Sequence, residues 1–104
     1  MIRHCVMLNL EAQADASDLD AIMRGLAELV GRLDGCSGFC AGPNRDYESK
    51  SPDFGYGFTF DARNPKALSA YAVHPEHQAL GARLVSLCAG GSDGIMVFDI
   101  EASA

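Results

Sequence analysis

Gly94-Ile95-Met96-Val97-Phe98-Asp99-Ile100 is the stretch on which the fold turns. Its β-branched and aromatic residues after a glycine read as a strand. Alternate side chains of a strand point to opposite faces, so Ile95 and Val97 face one way while Met96, Phe98 and Ile100 face the other. Both faces are therefore apolar. The opening strand, residues 2–10, carries the same message. Ile2, His4, Val6, Leu8 and Leu10 line one face, and Cys5 and Met7 make the other partly apolar beside Arg3 and Asn9. An antiparallel sheet with one face in water alternates apolar with polar residues, and this one does so only weakly.

Between these strands the periodicity changes. Over 17–33, Leu19, Ile22, Met23, Leu26, Leu29, Val30 and Leu33 keep the 3-4 spacing of a helix that buries one stripe. Asp15 or Ser17 can cap its start, and Gly35 ends it. Residues 36–42 and 57–61 read as further strands, separated by a polar, aperiodic loop over 43–55 that can serve as a lid. Asn64-Pro65 starts a short helix as cap and first-turn proline, and a third helix is predicted from Pro75 to Ala89. The order β-α-β-β-α-α-β in a chain of 104 residues gives one α+β domain over 1–104: a ferredoxin-like four-stranded antiparallel sheet with helices on one face. Those helices shelter one face only. Leaving the other wet costs on the order of 25 cal/mol per Å² of apolar surface, so a second copy is expected against it, as a two-fold homodimer.

The chemistry gathers where two helices meet. Tyr71-Ala72-Val73-His74-Pro75-Glu76-His77-Gln78 holds two histidines and a tyrosine around a proline. Pro75 has no N–H to donate and pushes His74 out of the helical region, so one helix ends near Val73 and the next begins at Pro75. Tyr71 then lies on the last turn of one helix and His77 on the first turn of the next, where they can converge. His77 leads a stripe with Leu80, Gly81, Leu84 and Cys88, which points it inward. The positive end of the helix favours its neutral imidazole, the form that accepts a proton. His4 is the one polar residue on an otherwise apolar strand face.

Charge and cysteines narrow the partners. A net charge of −6 opposes a nucleic-acid backbone or an anionic membrane surface, both of which reward clustered Lys and Arg. No apolar run is long enough to span a bilayer, and the N-terminus lacks a signal-peptide layout, so a cytoplasmic protein is expected. Cys36 and Cys40, on one strand with the same facing, lie roughly 13 Å apart at about 3.3 Å per residue, too far to bond. With Cys5 and Cys88 they read as reduced thiols. No Cys/His spacing suits zinc, and neither a metal nor a cofactor is expected.

Met1-Ile2-Arg3-His4, Gly42-Pro43-Asn44, Tyr71-x-x-His74-Pro75-x-His77-Gln78 and Val97-Phe98-Asp99 together resemble the stress-responsive A/B barrel (Dabb) domain. The resemblance spans residues 1 to about 100, and the Tyr-x-x-His-Pro-x-His-Gln segment is its most specific part. It implies a dimeric α+β barrel of two face-to-face sheets. A plant cyclase of that family closes a ring on a linear polyketide by an aldol-type step. Its catalytic tyrosine and histidine match Tyr71 and His77, and a pocket histidine matches His4. Many bacterial members have no assigned reaction, and some plant relatives act as stable stress proteins.

Three functions follow. The first is cofactor-free proton transfer or aldol-type cyclisation on a small carbonyl compound. There His77 is the base, Tyr71 the donor to the developing oxyanion, and His4 and His74 belong to the ligand pocket, although His74 beside the proline also reads as a helix cap or a solvent-facing residue. The second is a non-catalytic ligand-binding or structural stress oligomer, in which Tyr71 and His77 are core and capping residues. The third is a haem-degrading monooxygenase, which needs an inward axial histidine and room for a macrocycle.

Overall fold

The computed structural model describes residues 1–103. Strand β1 (Ile2–Leu8) is followed by helix α1 (Ala16–Arg32), strands β2 (Cys36–Pro43) and β3 (Tyr56–Ala62), helices α2 (Pro65–Ala72) and α3 (Pro75–Ser86), and strand β4 (Ile95–Glu101). The strands form one antiparallel sheet in the order β2-β3-β1-β4. This is the ferredoxin-like arrangement expected. The two central strands are β1 and β3, and β2 and β4 are its edges.

Local chemistry sets the boundaries. Asp15 caps α1: its carboxylate accepts from the Ser17 hydroxyl and from the N–H groups of Asp18 and Ser17, which together hold that carboxyl below its usual range. Asn64 does the same for α2 through the N–H of Ala67, with Pro65 behind it. After α1 the chain reverses through Gly35 at φ +83°; a Cβ there would meet that of Ala67 at 2.8 Å, so both conformation and space select glycine.

The core lies between the helices and one face of the sheet. Leu19, Ile22, Met23, Leu26, Leu29 and Val30 of α1 pack on Val6, Leu8, Phe58, Phe60 and Ala62 of the central strands. Each large apolar side chain so buried contributes about 1.5–3 kcal/mol. Helix α1 is thus a continuous apolar stripe, as its spacing predicts. Helix α3 is not: among its residues only Leu84 is fully buried. It lies beside β1 and β4 with small residues at Gly81 and Ala82, and the sheet beneath it is incompletely filled.

Three local expectations are corrected. Cys36 and Cys40 do not share a face. Cys36 pairs with Ala62 on the helix side, whereas Cys40 pairs with Thr59 on the open side, because the register shifts between Ser37 and Cys40 at Gly38 (φ +70°). One inserted residue flips every later side chain. The third helix ends at Ser86 rather than Ala89. Its last residues peel away to pair with the chain after β1: Glu11 N–H donates to Leu87 C=O, and Ala89 N–H to Asn9 C=O. For the same reason β1 stops at Leu8, and Leu10 forms a bridge with Cys88 instead.

The other face of the sheet is apolar along β1 and β4. Met96, Phe98 and Ile100 remain 42–50% exposed there, beside Met7. Towards β3 the face turns polar, with Arg3 Nε donating to Asp61 at 2.9 Å. The 44–55 loop is tied to itself: Asp46 accepts from the backbone of Lys50 and Ser51, and Asn44 donates to Ser51 and Phe54. Among the described residues no helix is long and apolar enough to cross a membrane.

Candidate active site

Only Val73 and His74 separate α2 from α3, so the last turn of one helix abuts the first turn of the next. Pro75 holds His74 in an extended conformation (φ −65°, ψ 132°), and its ring Nδ1 accepts from Glu76 N–H at 3.1 Å. His74 is therefore the N-cap of α3. It does not line the cavity formed by its neighbours, so of its two expected places, helix cap and pocket, it takes the cap. A cap turns back over the first turn of its own helix, and the bond to Glu76 N–H holds the ring there. Glu76, in the first turn, pairs with Arg32 of α1 and fastens α3 to that helix.

The short junction brings Tyr71 and His77 together, with ring centroids 4.3 Å apart. Tyr71 is 1% exposed, packed edge-on against Phe60 at 4.6 Å and near His4 at 5.8 Å. Burial, aided by the nearby Cys36 thiol, pushes its phenol well above the ordinary tyrosine range. The hydroxyl thus keeps its proton and remains a donor. It forms no hydrogen bond among the described residues, and none of the described buried side-chain polar atoms is both sealed and unpaired. Its oxygen is accordingly not fully sealed, and Tyr71 lines the cavity.

His77 Nδ1 lies 2.9 Å from the carbonyl oxygen of Ala72. A carbonyl can only accept, so Nδ1 carries the hydrogen and the neutral ring presents its lone pair at Nε2. The same logic applies across the sheet. His4 Nδ1 lies 2.6 Å from Asp99 Oδ1, a carboxylate that accepts from it, so in the neutral ring Nε2 is the acceptor. Asp99 carries no mark of this role in the sequence around it. Its signal was a register: His4 of β1 and Asp99 of β4 are direct antiparallel partners, on the face that also carries Val6 and Val97.

His4, Tyr71, His77 and Asp99 all line one cavity of about 610 Å³ between α3 and the β1–β4 half of the sheet. Gln78 joins them at this polar end. From there the cavity follows two parallel walls. Along α3 it passes Gly81 to Leu84 and Val85, and along β4 it passes Val97 to Ile95, with Leu26 and Phe58 behind. At about 1.5 Å per helical residue and 3.3 Å per strand residue, each wall runs some 12–13 Å from polar end to apolar end. Val97 is 51% exposed although it faces the helices, because β4 is an edge strand and the cavity opens beside it. A base, a hydroxyl donor and a carboxylate-anchored imidazole at one end of an apolar cleft suit a small carbonyl compound. Among the described residues no group of three His, Cys, Asp or Glu is placed to hold a metal ion.

Comparison with known proteins agrees with this architecture. The model of the stress-responsive A/B barrel domain (Dabb) matches residues 2–102. A dimeric ferredoxin-like protein of unknown function from Jannaschia sp. CCS1 is 42% identical, with a TM-score of 0.92 over 97% of this chain and 98% of that one. A dimeric ferredoxin-like protein of unknown function from Thermobifida fusca is 15% identical (TM-score 0.75; 95% and 88% covered). A hydroxynitrile lyase from Passiflora edulis is 13% identical (TM-score 0.78; 99% and 96% covered). The latter two identities speak for the fold alone. No curated protein matches.

Proposed function

The chain belongs to the stress-responsive A/B barrel domain family, and from that premise we propose that it moves a proton next to the carbonyl of a small, mainly apolar compound, without a cofactor. The observation that carries this reading is the convergence of Tyr71, His77 and the His4–Asp99 pair on one end of an apolar cavity. His77 Nε2 takes the proton from the carbon beside the carbonyl. As the electron pair moves towards oxygen, the Tyr71 O–H donates to that oxygen, and its raised proton affinity keeps it from giving the proton away altogether. Asp99 holds His4 so that its Nε2 accepts from a hydroxyl of the substrate or its enol. The carbanion equivalent then attacks a second carbonyl in an aldol-type closure, whose new alkoxide takes the proton back from His77, or recovers that proton at another carbon. Ala72 C=O stabilises the imidazolium formed meanwhile.

A base positioned in this way contributes roughly 10²–10⁴-fold and an oxyanion donor roughly 10²–10³-fold. The Passiflora edulis lyase is a precedent for an enzyme on this fold. A second copy covers the open face in this reading. Its supports are the exposed Met96, Phe98 and Ile100 and the dimeric relatives from Jannaschia and Thermobifida fusca.

The test is turnover and α-proton exchange of a panel of aryl β-keto esters in D₂O, followed by proton NMR. His77→Ala and Tyr71→Phe should each lower the rate by about two to three orders of magnitude. Equal rates in wild type and both variants would remove the catalytic assignment and leave a ligand-binding stress oligomer.

A further inference from the structure

Helix α3 carries a glycine that the fold does not explain. Glycine inside a helix is less favourable than alanine, so a helical glycine ordinarily repays its cost by letting another group approach. Gly25 of α1 shows how: a Cβ there would stand 3.0 Å from both methyls of Leu80, so its missing side chain is the seat of α3 on α1. At Gly81 a Cβ would find no heavy atom within 4 Å. Gly81 is nevertheless not a surface position. It falls four residues after His77 and three before Leu84, on the face of α3 that carries both, and all three line the cavity. Its absent side chain therefore leaves room inside the cavity, midway between the polar end at Tyr71 and His77 and the apolar end at Val85 and Ile95.

We infer that Gly81 is a specificity-determining residue: it keeps open the strip of helix backbone against which the apolar body of the ligand lies, a planar ring or an extended chain whose carbonyl reaches Tyr71. The ligand class is thus a carbonyl compound with its ring or chain some 6 Å from the polar end, the rise of four helical residues. The inference rests on the carbonyl reading above for the head of the ligand, and on the cavity alone for its body.

The experiment separates the two. Ethylbenzene, which has no carbonyl, and acetophenone, nearly the same in shape, are titrated into ¹⁵N-labelled protein, and shifts of α3 and β4 amides are followed by NMR. Gly81→Leu should weaken ethylbenzene at least tenfold and Gly81→Ala a few-fold. Gly31→Ala, at an exposed helical glycine with equally free space, should leave it unchanged. Both alanine variants should raise the melting midpoint by about 4 °C or more, showing that neither glycine serves the fold. Ethylbenzene affinity within twofold of wild type in Gly81→Leu, no shift at α3 and β4 in wild type, or a lowered midpoint for Gly81→Ala would each overturn the inference. If ethylbenzene behaves as expected but acetophenone binds no better, the role of Gly81 stands and the carbonyl reading falls.

Discussion

Strand β4 presents apolar residues on both sides, yet its two sides are built for different company. On the helix side, Ile95 and Val97 lead to Asp99, and Asp99 to His4, Tyr71 and His77. On the open side, Met96, Phe98 and Ile100 lead to Met7, and the nearest ion pair, Arg3 with Asp61, satisfies itself. One side is a cleft whose polar atoms converge with a lone pair or a proton to spare. The other is a broad surface whose ion pair closes on itself. Apolar area by itself invites another protein surface, whereas apolar area ending in unspent donors and acceptors invites a small molecule.

Placing a charge on the open side is the harshest way to break that contrast. Phe98→Asp puts a carboxylate into the surface assigned to a second copy, and two-fold symmetry puts it there twice. Dimer affinity should fall by at least a hundredfold while residues on the cavity side keep their NMR shifts. Sedimentation showing the same species for wild type and variant would count against the assigned interface. On the cavity side, Asp99→Asn keeps the shape and removes the charge that orders His4. The rate should fall about tenfold, near the lower end of what a hydrogen bond to a charged group contributes. An unchanged rate would reduce the pair to a structural contact.

The smallest effect is one of pH. Burial raises the Tyr71 phenol in the folded chain above its value of about 10 when unfolded, so the folded state holds a proton that the unfolded state has lost. The stability this represents is complete below pH 10 and is lost as pH rises towards the folded value. Its slope is at most about 1.4 kcal/mol per pH unit. The buried thiols of Cys5, Cys36 and Cys88, also pushed up by burial, add to the decline from about pH 9. Urea midpoints should therefore drop at alkaline pH, and Tyr71→Phe should flatten the part above pH 10. An identical profile in the variant would refute this description of the buried phenol.

Much of this was legible in the residues because it depends on period and punctuation. The stripe from Leu19 to Leu33, the two-faced strand at 94–100 and the break at Pro75 are local patterns, and each became the element expected. The same break foretold that Tyr71 and His77 would meet. What escaped depends on distant pairing. Nothing near Asp99 announces His4, ninety-five residues away; only the β1–β4 register joins them. The flip of Cys40 needed the bulge at Gly38, and the early end of α3 needed the chain after β1 as a competing partner. His74 shows a third limit: its motif marks it as important, but the local geometry of a cap decides which way it turns.

The central claim, that Tyr71 donates to a carbonyl held at the polar end of the cavity, has a direct measurement. It is the infrared stretch of ¹³C-carbonyl acetophenone bound to wild type and to Tyr71→Phe. A carbonyl held by that hydroxyl absorbs at lower frequency than in apolar solvent, and its band returns towards the apolar value when the hydroxyl is removed. A bound band that is the same in both proteins would contradict it.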